Sequence, residues 1–172
     1  HAIEEARSSL LNFYERRIRR IFPALAAVVI VTLCSGWFLL LPSDFVRLGK
    51  SVLAQSVFSS NIYFWRNINY FASSADLQPL LHTWSLAVEE QFYFIMPFFM
   101  IYLFRWIRKK DLRRKLFLVL GFFTFSSLLL SILALPVMPA FTFYLLPTRA
   151  WELLLGALIA ILPMLPLLNR IY

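Results

Sequence analysis

Four long apolar runs set the terms on which this chain can fold. Phe22 to Leu41 holds no ionisable group except Cys34, and Trp84 to Phe104 holds only Glu89, Glu90 and two tyrosines. Leu116 to Leu135 and Leu153 to Leu168 hold no charged residue. A helix crosses bilayer hydrocarbon with roughly 17 to 25 mostly apolar residues. Lipid offers nothing to an unpaired backbone amide, so such runs must fold as helices. Three runs are long enough outright, and the last is if Trp151 and Glu152 mark its interfacial end. A soluble domain is about half apolar, whereas 60% of these 172 residues are hydrophobic. The expectation is an integral membrane protein: an all-α, polytopic transmembrane helix bundle with about four spans, near 22–41, 84–104, 116–135 and 151–168.

The chain begins with His1 and ends just beyond the last run, so residues 1–172 are read as one domain of a longer protein, truncated at both ends. Cys34 is the only cysteine, which leaves no internal disulfide and no Cys-based metal site. It reads as a small apolar packing residue, and no metal is expected.

The net charge of +8 gathers in two clusters, ERRIRR at Glu15–Arg20 and RWIRKKDLRRK at Arg105–Lys115. Lys and Arg beside short loops mark the cytoplasmic side, so both clusters are expected there. Parity then forbids residues 42–81 a net crossing. The segment FVRLGKSVLAQSVFSSNIYFW, residues 45–65, fits that restriction. Ser51, Gln55, Ser59 and Asn61 interrupt its apolar face, as in an interfacial or re-entrant helix. Pro42 and ASSADLQP, residues 72–79, punctuate its ends. The alternative is that 45–65 spans and the charge rule fails once. PVMPAFTFYLLP, residues 136–147, reads as an external connection. Thr148 to Glu152 then open a return helix whose exit is marked by Pro163, Pro166 and Arg170. A membrane face accounts for both basic clusters, and nucleic acid is not an expected partner.

The first cluster has a topogenic reading, with anionic lipid as a secondary attraction. Its composition adds a second reading. Arg16, Arg17, Arg19 and Arg20 crowd five positions without a lysine, and guanidinium binds phosphate oxygens in a bidentate way that ammonium cannot. Arg17 and Arg20, spaced i, i+3, can converge on one phosphorylated ligand.

HTWSLAVEEQFYFIMP, residues 82–97, poses the sharpest question. If a helix begins near Leu80 to His82, then His82, Ser85 and Glu89 share one face. Glu90 points about 100° away, with Thr83 and Leu86. The two carboxylates therefore have different surroundings. One reading keeps both in the first turns, near water and favoured by the helix dipole, with Trp84 as an interfacial anchor. Against it, Glu89 lies roughly 10 Å along the axis from His82. An acid at the bilayer centre costs on the order of 2.5 to 3.5 kcal/mol, so a polar cavity or a partner is required. His82 is either a base near that site or an interfacial histidine. Arg149 and Glu152, i, i+3 at a helix start, read as a local structural ion pair.

Three segments together resemble the membrane acyltransferase-3 family, which includes O-antigen and peptidoglycan O-acetyltransferases. FYERRIRRIFPAL (13–25) resembles its RRxxR-[IL]-x-P element, and LLHTWSLAVEEQFYFIMP (80–97) its WSLxVEEQFY signature. PTRAWELLLGALIA (147–160) resembles its later R-x-W-E-L-x-x-G helix, and NIYFW (61–65) also fits. The resemblance implies an O-acyltransferase of the bacterial cytoplasmic membrane. It would take an acyl group, usually acetyl, from cytoplasmic acyl-CoA to a hydroxyl of an envelope carbohydrate, with no bound cofactor. It assigns the acyl-CoA phosphates to Arg17 and Arg20, with Arg16. It makes Glu89, ahead of Glu90, the supporting acid, and puts His82, Trp84 and Ser85 on the acceptor side. It also implies a catalytic His preceded eleven positions earlier by a basic residue. His82 has Phe71 there and His1 has nothing, so that His is expected outside this chain, and the 172 residues alone are expected to be inactive. Two rivals stand beside this reading. A transporter bundle using Glu89 as a proton or cation site requires a second intramembrane charge opposite it. A structural bundle requires only an interfacial acid pair.

Overall fold

The computed structural model describes residues 2–67, 78–107 and 112–161, with side chains from Leu10 onward. Among these residues every regular element is a helix. Four stretches are long and apolar enough to cross a membrane: Leu10–Leu39, Thr83–Trp106, Leu112–Ala134 and Pro139–Ile161. The all-α bundle read from the apolar runs is the fold. Outside the described residues lie 72–77 of the polar segment, 108–111 of the second basic cluster, and 162–172 with Pro163, Pro166 and Arg170.

Helix α1 (Ala2–Leu39) takes in the whole ERRIRR cluster, runs through Pro23 and continues along the first apolar run. The cluster therefore lies within the same helix as the first apolar run. Leu41 then adopts an extended backbone, φ −64° and ψ 152°, as a residue before proline prefers. Pro42 opens α2 (Pro42–Ser56), where its missing N–H costs no helical bond.

Helix α2 folds back along α1. Gly36 makes this approach possible: a Cβ there would stand 2.9 Å from Leu48 Cδ2 and 3.2 Å from Leu40 Cδ1. The rings of Trp37 and Phe45 meet at 5.5 Å beside it. At Phe58 the backbone turns left-handed, φ 51°, and Ser59 N–H donates to Ala54 O at 2.8 Å. The chain reverses into α3 (Ser60–Asn67), which retraces α2. Ser60 Oγ meets Gln55 at the tip, and Tyr63 Oη reaches Arg47 O further back. Helices of 15 and 8 residues are each too short to span. Together they form a helical hairpin over the segment 45–65.

Helix α4 (Thr83–Trp106) contains Pro97, and α5 (Leu112–Ala134) follows. The 136–147 connection contains a short helix of its own, α6 (Pro139–Tyr144), and α7 (Leu146–Ile161) returns. α5 and α7 pack antiparallel around Leu120, Leu154 and Leu158. Ser127 Oγ fixes their register, donating to Pro147 O at 2.7 Å and accepting from Trp151 N–H at 3.0 Å. A second core joins α3 to α6 through Phe64 and Tyr144, both fully buried, with Trp65, Trp84 and Phe143 around them.

Candidate functional site

Helices α1 and α4 run antiparallel across a loose seam bridged by long side chains. Tyr14 Oη donates to Phe94 O at 3.1 Å. One turn further along α1, Arg17 Nη2 donates to Glu90 Oε1 at 2.9 Å. The Arg17 guanidinium also lies 3.3 Å over the Tyr93 ring centroid, where the ring's negative face attracts a cation. These bridges leave cavities along the seam. One of 770 Å³ lies between α1, the hairpin tip and α4, lined by Arg17, Gln55, Phe58, Glu90 and Gln91. A second, 390 Å³, is lined by Arg20, His82 and Ser85. A third, 540 Å³, holds Phe13, Tyr93, Met96 and Glu152.

The helical stagger of the two acids is as expected, and the structure decides which faces inward. Glu90 and Arg17 are largely covered, their side chains 12% and 24% exposed. Glu89 is exposed, and among the described residues no ion pair reaches it. Sequence periodicity could not fix the rotation of α4 against α1, so it could not make this choice.

The expected convergence of Arg17 and Arg20 does not occur. Their spacing leaves them neighbours on α1, but Arg17 lines the large cavity and Arg20 the one beside His82. Arg16 is exposed, and Arg19 pairs with Glu15 at 2.7 Å on the outer surface. Arg17 is also no free cation, because Glu90 neutralises it.

The pair also fixes relative heights. Glu90 lies seven residues into α4, roughly 10 Å from Thr83, and Arg105 lies about 22 Å further on. The two basic clusters are therefore not level across this seam.

Trp84 does not stand free as an anchor. It packs against Phe143 and Tyr144, with ring centroids 4.5 Å and 5.5 Å away. Arg149 lies over its ring at 4.9 Å. Arg149 also makes the bidentate i, i+3 pair with Glu152, at 2.8 Å and 3.0 Å.

Three amide residues complete the site. Gln91 Nε2 donates to Asn61 Oδ1 and to Phe58 O, both at 2.8 Å. Asn61 Nδ2 donates back to Gln91 Oε1 at 3.3 Å and to Tyr144 O at 3.2 Å. This clasp ties the hairpin tip to α4 and α6 and satisfies backbone oxygens that lipid would not. Gln55, 1% exposed, accepts from Ser60 Oγ at 2.6 Å. The signal for all three was present as carboxamides inside apolar segments, but their partners lie far away in sequence.

Chemically, the arrangement is suited to binding and positioning. It offers an apolar cavity with a neutralised ion pair and oriented amide donors at one end. His82 lines a different cavity from Glu90. Among the described residues no group of three His, Cys, Asp or Glu side chains comes together to hold a metal.

Comparison with known proteins agrees with these features. A family model described as an acyltransferase domain matches residues 4–172. An uncharacterized protein of Haemophilus influenzae is 34% identical over 165 residues, 92% of this chain and 66% of its own. The peptidoglycan O-acetyltransferase OatA of Listeria monocytogenes is 34% identical over 153 residues, 88% of this chain. The O-acetyltransferase OatA of Staphylococcus aureus is 32% identical over 111 residues, 64% of this chain. The chain spans only 24% and 18% of these last two relatives. No solved structure matches it.

Proposed function

The chain belongs to the membrane acyltransferase-3 family, and on that premise we propose that it acts in a membrane-embedded O-acyltransferase. The enzyme moves an acyl group, acetyl in the first instance, from cytoplasmic acyl-CoA to a hydroxyl of an envelope carbohydrate in a bacterial inner membrane. Peptidoglycan is the leading acceptor, because the Listeria relative is named for it.

The observation that carries the reading is the Arg17–Glu90 pair beside the 770 Å³ cavity. A carboxylate and a guanidinium inside apolar helices are costly and persist where they serve a site. Glu90 holds Arg17 against Tyr93, so the cavity end presents fixed N–H groups and no mobile charge. Arg20 and His82 share the neighbouring cavity, so the phosphate and acceptor roles separately expected of them fall on one ligand. A donor phosphate, drawn by Arg20 with Arg16 nearby on the same helix, suits that cavity better than a neutral sugar. A transporter using Glu89 needs a second intramembrane charge opposite it, and among the described residues no ion pair reaches Glu89.

The test uses the full-length protein in cells that lack the activity otherwise, with base-labile acetyl esters on envelope carbohydrate as the readout. Arg17→Ala and Glu90→Gln should each abolish acetylation while the protein remains in the membrane. Normal acetylation in both variants would refute the site.

A further inference from the structure

We propose that Gln55 binds the acyl donor, its Nε2 donating a hydrogen bond to a carbonyl oxygen of the donor's acylated arm in the 770 Å³ cavity. This rests on the acyl-donor reading above and assigns a residue and a chemical preference within it.

The starting point is an account of the cavity's polar groups. Tyr14 Oη and Ser56 Oγ are spent on the carbonyls of Phe94 and Leu53. Gln91 is engaged by Asn61 and Phe58, and Glu90 by Arg17. Two N–H groups of residues that line the cavity, Arg17 Nε on α1 and Gln55 Nε2 at the hairpin tip, are buried and have no hydrogen-bond partner among the described residues. A buried donor left unpaired is costly, and both groups are donors rather than acceptors. The cavity therefore calls for a ligand carrying acceptor oxygens.

The orientation of the Gln55 amide follows from its one bond. The contact with Ser60 Oγ is 2.6 Å, within the O–H···O range and short for N–H···O. The carboxamide oxygen therefore faces Ser60, which leaves Nε2 as the free end. The terminal torsion of glutamine is broad and roughly two-fold, and the serine hydroxyl rotates to follow. Nε2 is itself covered, so donation to a ligand requires the amide to turn toward the cavity.

Charge decides what kind of acceptor fits. Glu90 already neutralises Arg17, so a phosphate would meet no net positive charge and would lie near a carboxylate. A neutral carbonyl, of an amide or a thioester, takes the two N–H donors without that repulsion. Its apolar chain suits walls formed by Ile18, Ile21, Phe22, Leu25 and Phe94. The arm thus occupies this cavity, and the phosphates lie elsewhere.

The experiment measures binding to the purified full-length protein in lipid nanodiscs. The probes are acetyl-CoA, S-acetyl-pantetheine (the arm without nucleotide) and adenosine bisphosphate (the nucleotide without arm). Gln55→Met should weaken the first two about 5- to 10-fold, the loss of one hydrogen bond, and leave adenosine bisphosphate unchanged. Gln55→Glu, equal in size but without the donor, should do the same, while Ser60→Ala should stay within about two-fold. Retained nucleotide binding reports an intact fold. Acetyl-pantetheine binding equal to the parent's in both Gln55 variants would overturn this inference alone. An equal loss of adenosine bisphosphate would overturn it as well, by showing a structural role. A parent that binds none of the three probes would overturn the acyl-CoA reading and this inference together.

Discussion

Arg17 and Glu90, 73 positions apart, form a 2.9 Å ion pair that joins α1 to α4. The pair exists because the two helices lie antiparallel with one particular rotation.

Breaking one side of this pair leaves the other charge in an apolar seam. Glu90→Gln or Arg17→Ala should each destabilise the protein by about 3 kcal/mol, the low end for a buried pair because both groups border a cavity. The double change Arg17→Met with Glu90→Leu should recover most of that loss, because two apolar residues carry no desolvation cost. Thermal unfolding in detergent measures both effects. Acetylation should remain absent in the double variant, which separates the pair's function from its structural role.

Glu89→Gln should behave unlike Glu90→Gln. Glu89 is exposed and no ion pair reaches it among the described residues, so its change should alter stability by less than about 0.5 kcal/mol. Acetylation should be largely kept. Loss of acetylation in Glu89→Gln with normal activity in Glu90→Gln would reverse the assignment of the two acids.

The Asn61–Gln91 clasp should control the hairpin tip. Gln91→Leu strips a donor from Phe58 O and from Asn61 Oδ1, leaving polar groups unpaired at about 1–3 kcal/mol, while Asn61 Nδ2 keeps Tyr144 O. Hydrogen exchange in residues 55–61 should rise more than exchange in α5. Uniform exchange across the protein would mean that the tip is not a separate unit.

Two glycines should respond in opposite senses to alanine. Gly36→Ala brings a Cβ within 2.9 Å of buried Leu48 and should cost about 1 kcal/mol or more. Leu48→Val in the same protein should relieve part of that cost. Gly156 has open space around the same position, so Gly156→Ala should gain up to about 1 kcal/mol from helix propensity. Melting temperatures of the variants and of the double change test all three.

The runs of apolar residues determined the helices by themselves, because a chain in lipid has no other way to satisfy its backbone. Local rotation per residue also determined that Glu89 and Glu90 diverge, and that Arg149 and Glu152 meet. The same arithmetic failed for Arg17 and Arg20. Their spacing brings them near one another, but the seam's geometry separates them into two cavities.

What tertiary structure alone decided is which side of each helix faces which neighbour. That choice makes Glu90 the paired acid, sets the tip of the hairpin against Gln91, and leaves the Gln55 donor buried without a partner among the described residues. The physical reason is range. Periodicity fixes contacts within three or four residues, whereas these contacts join residues 30 to 73 positions apart. Such contacts depend on how whole helices rotate, tilt and reverse against one another.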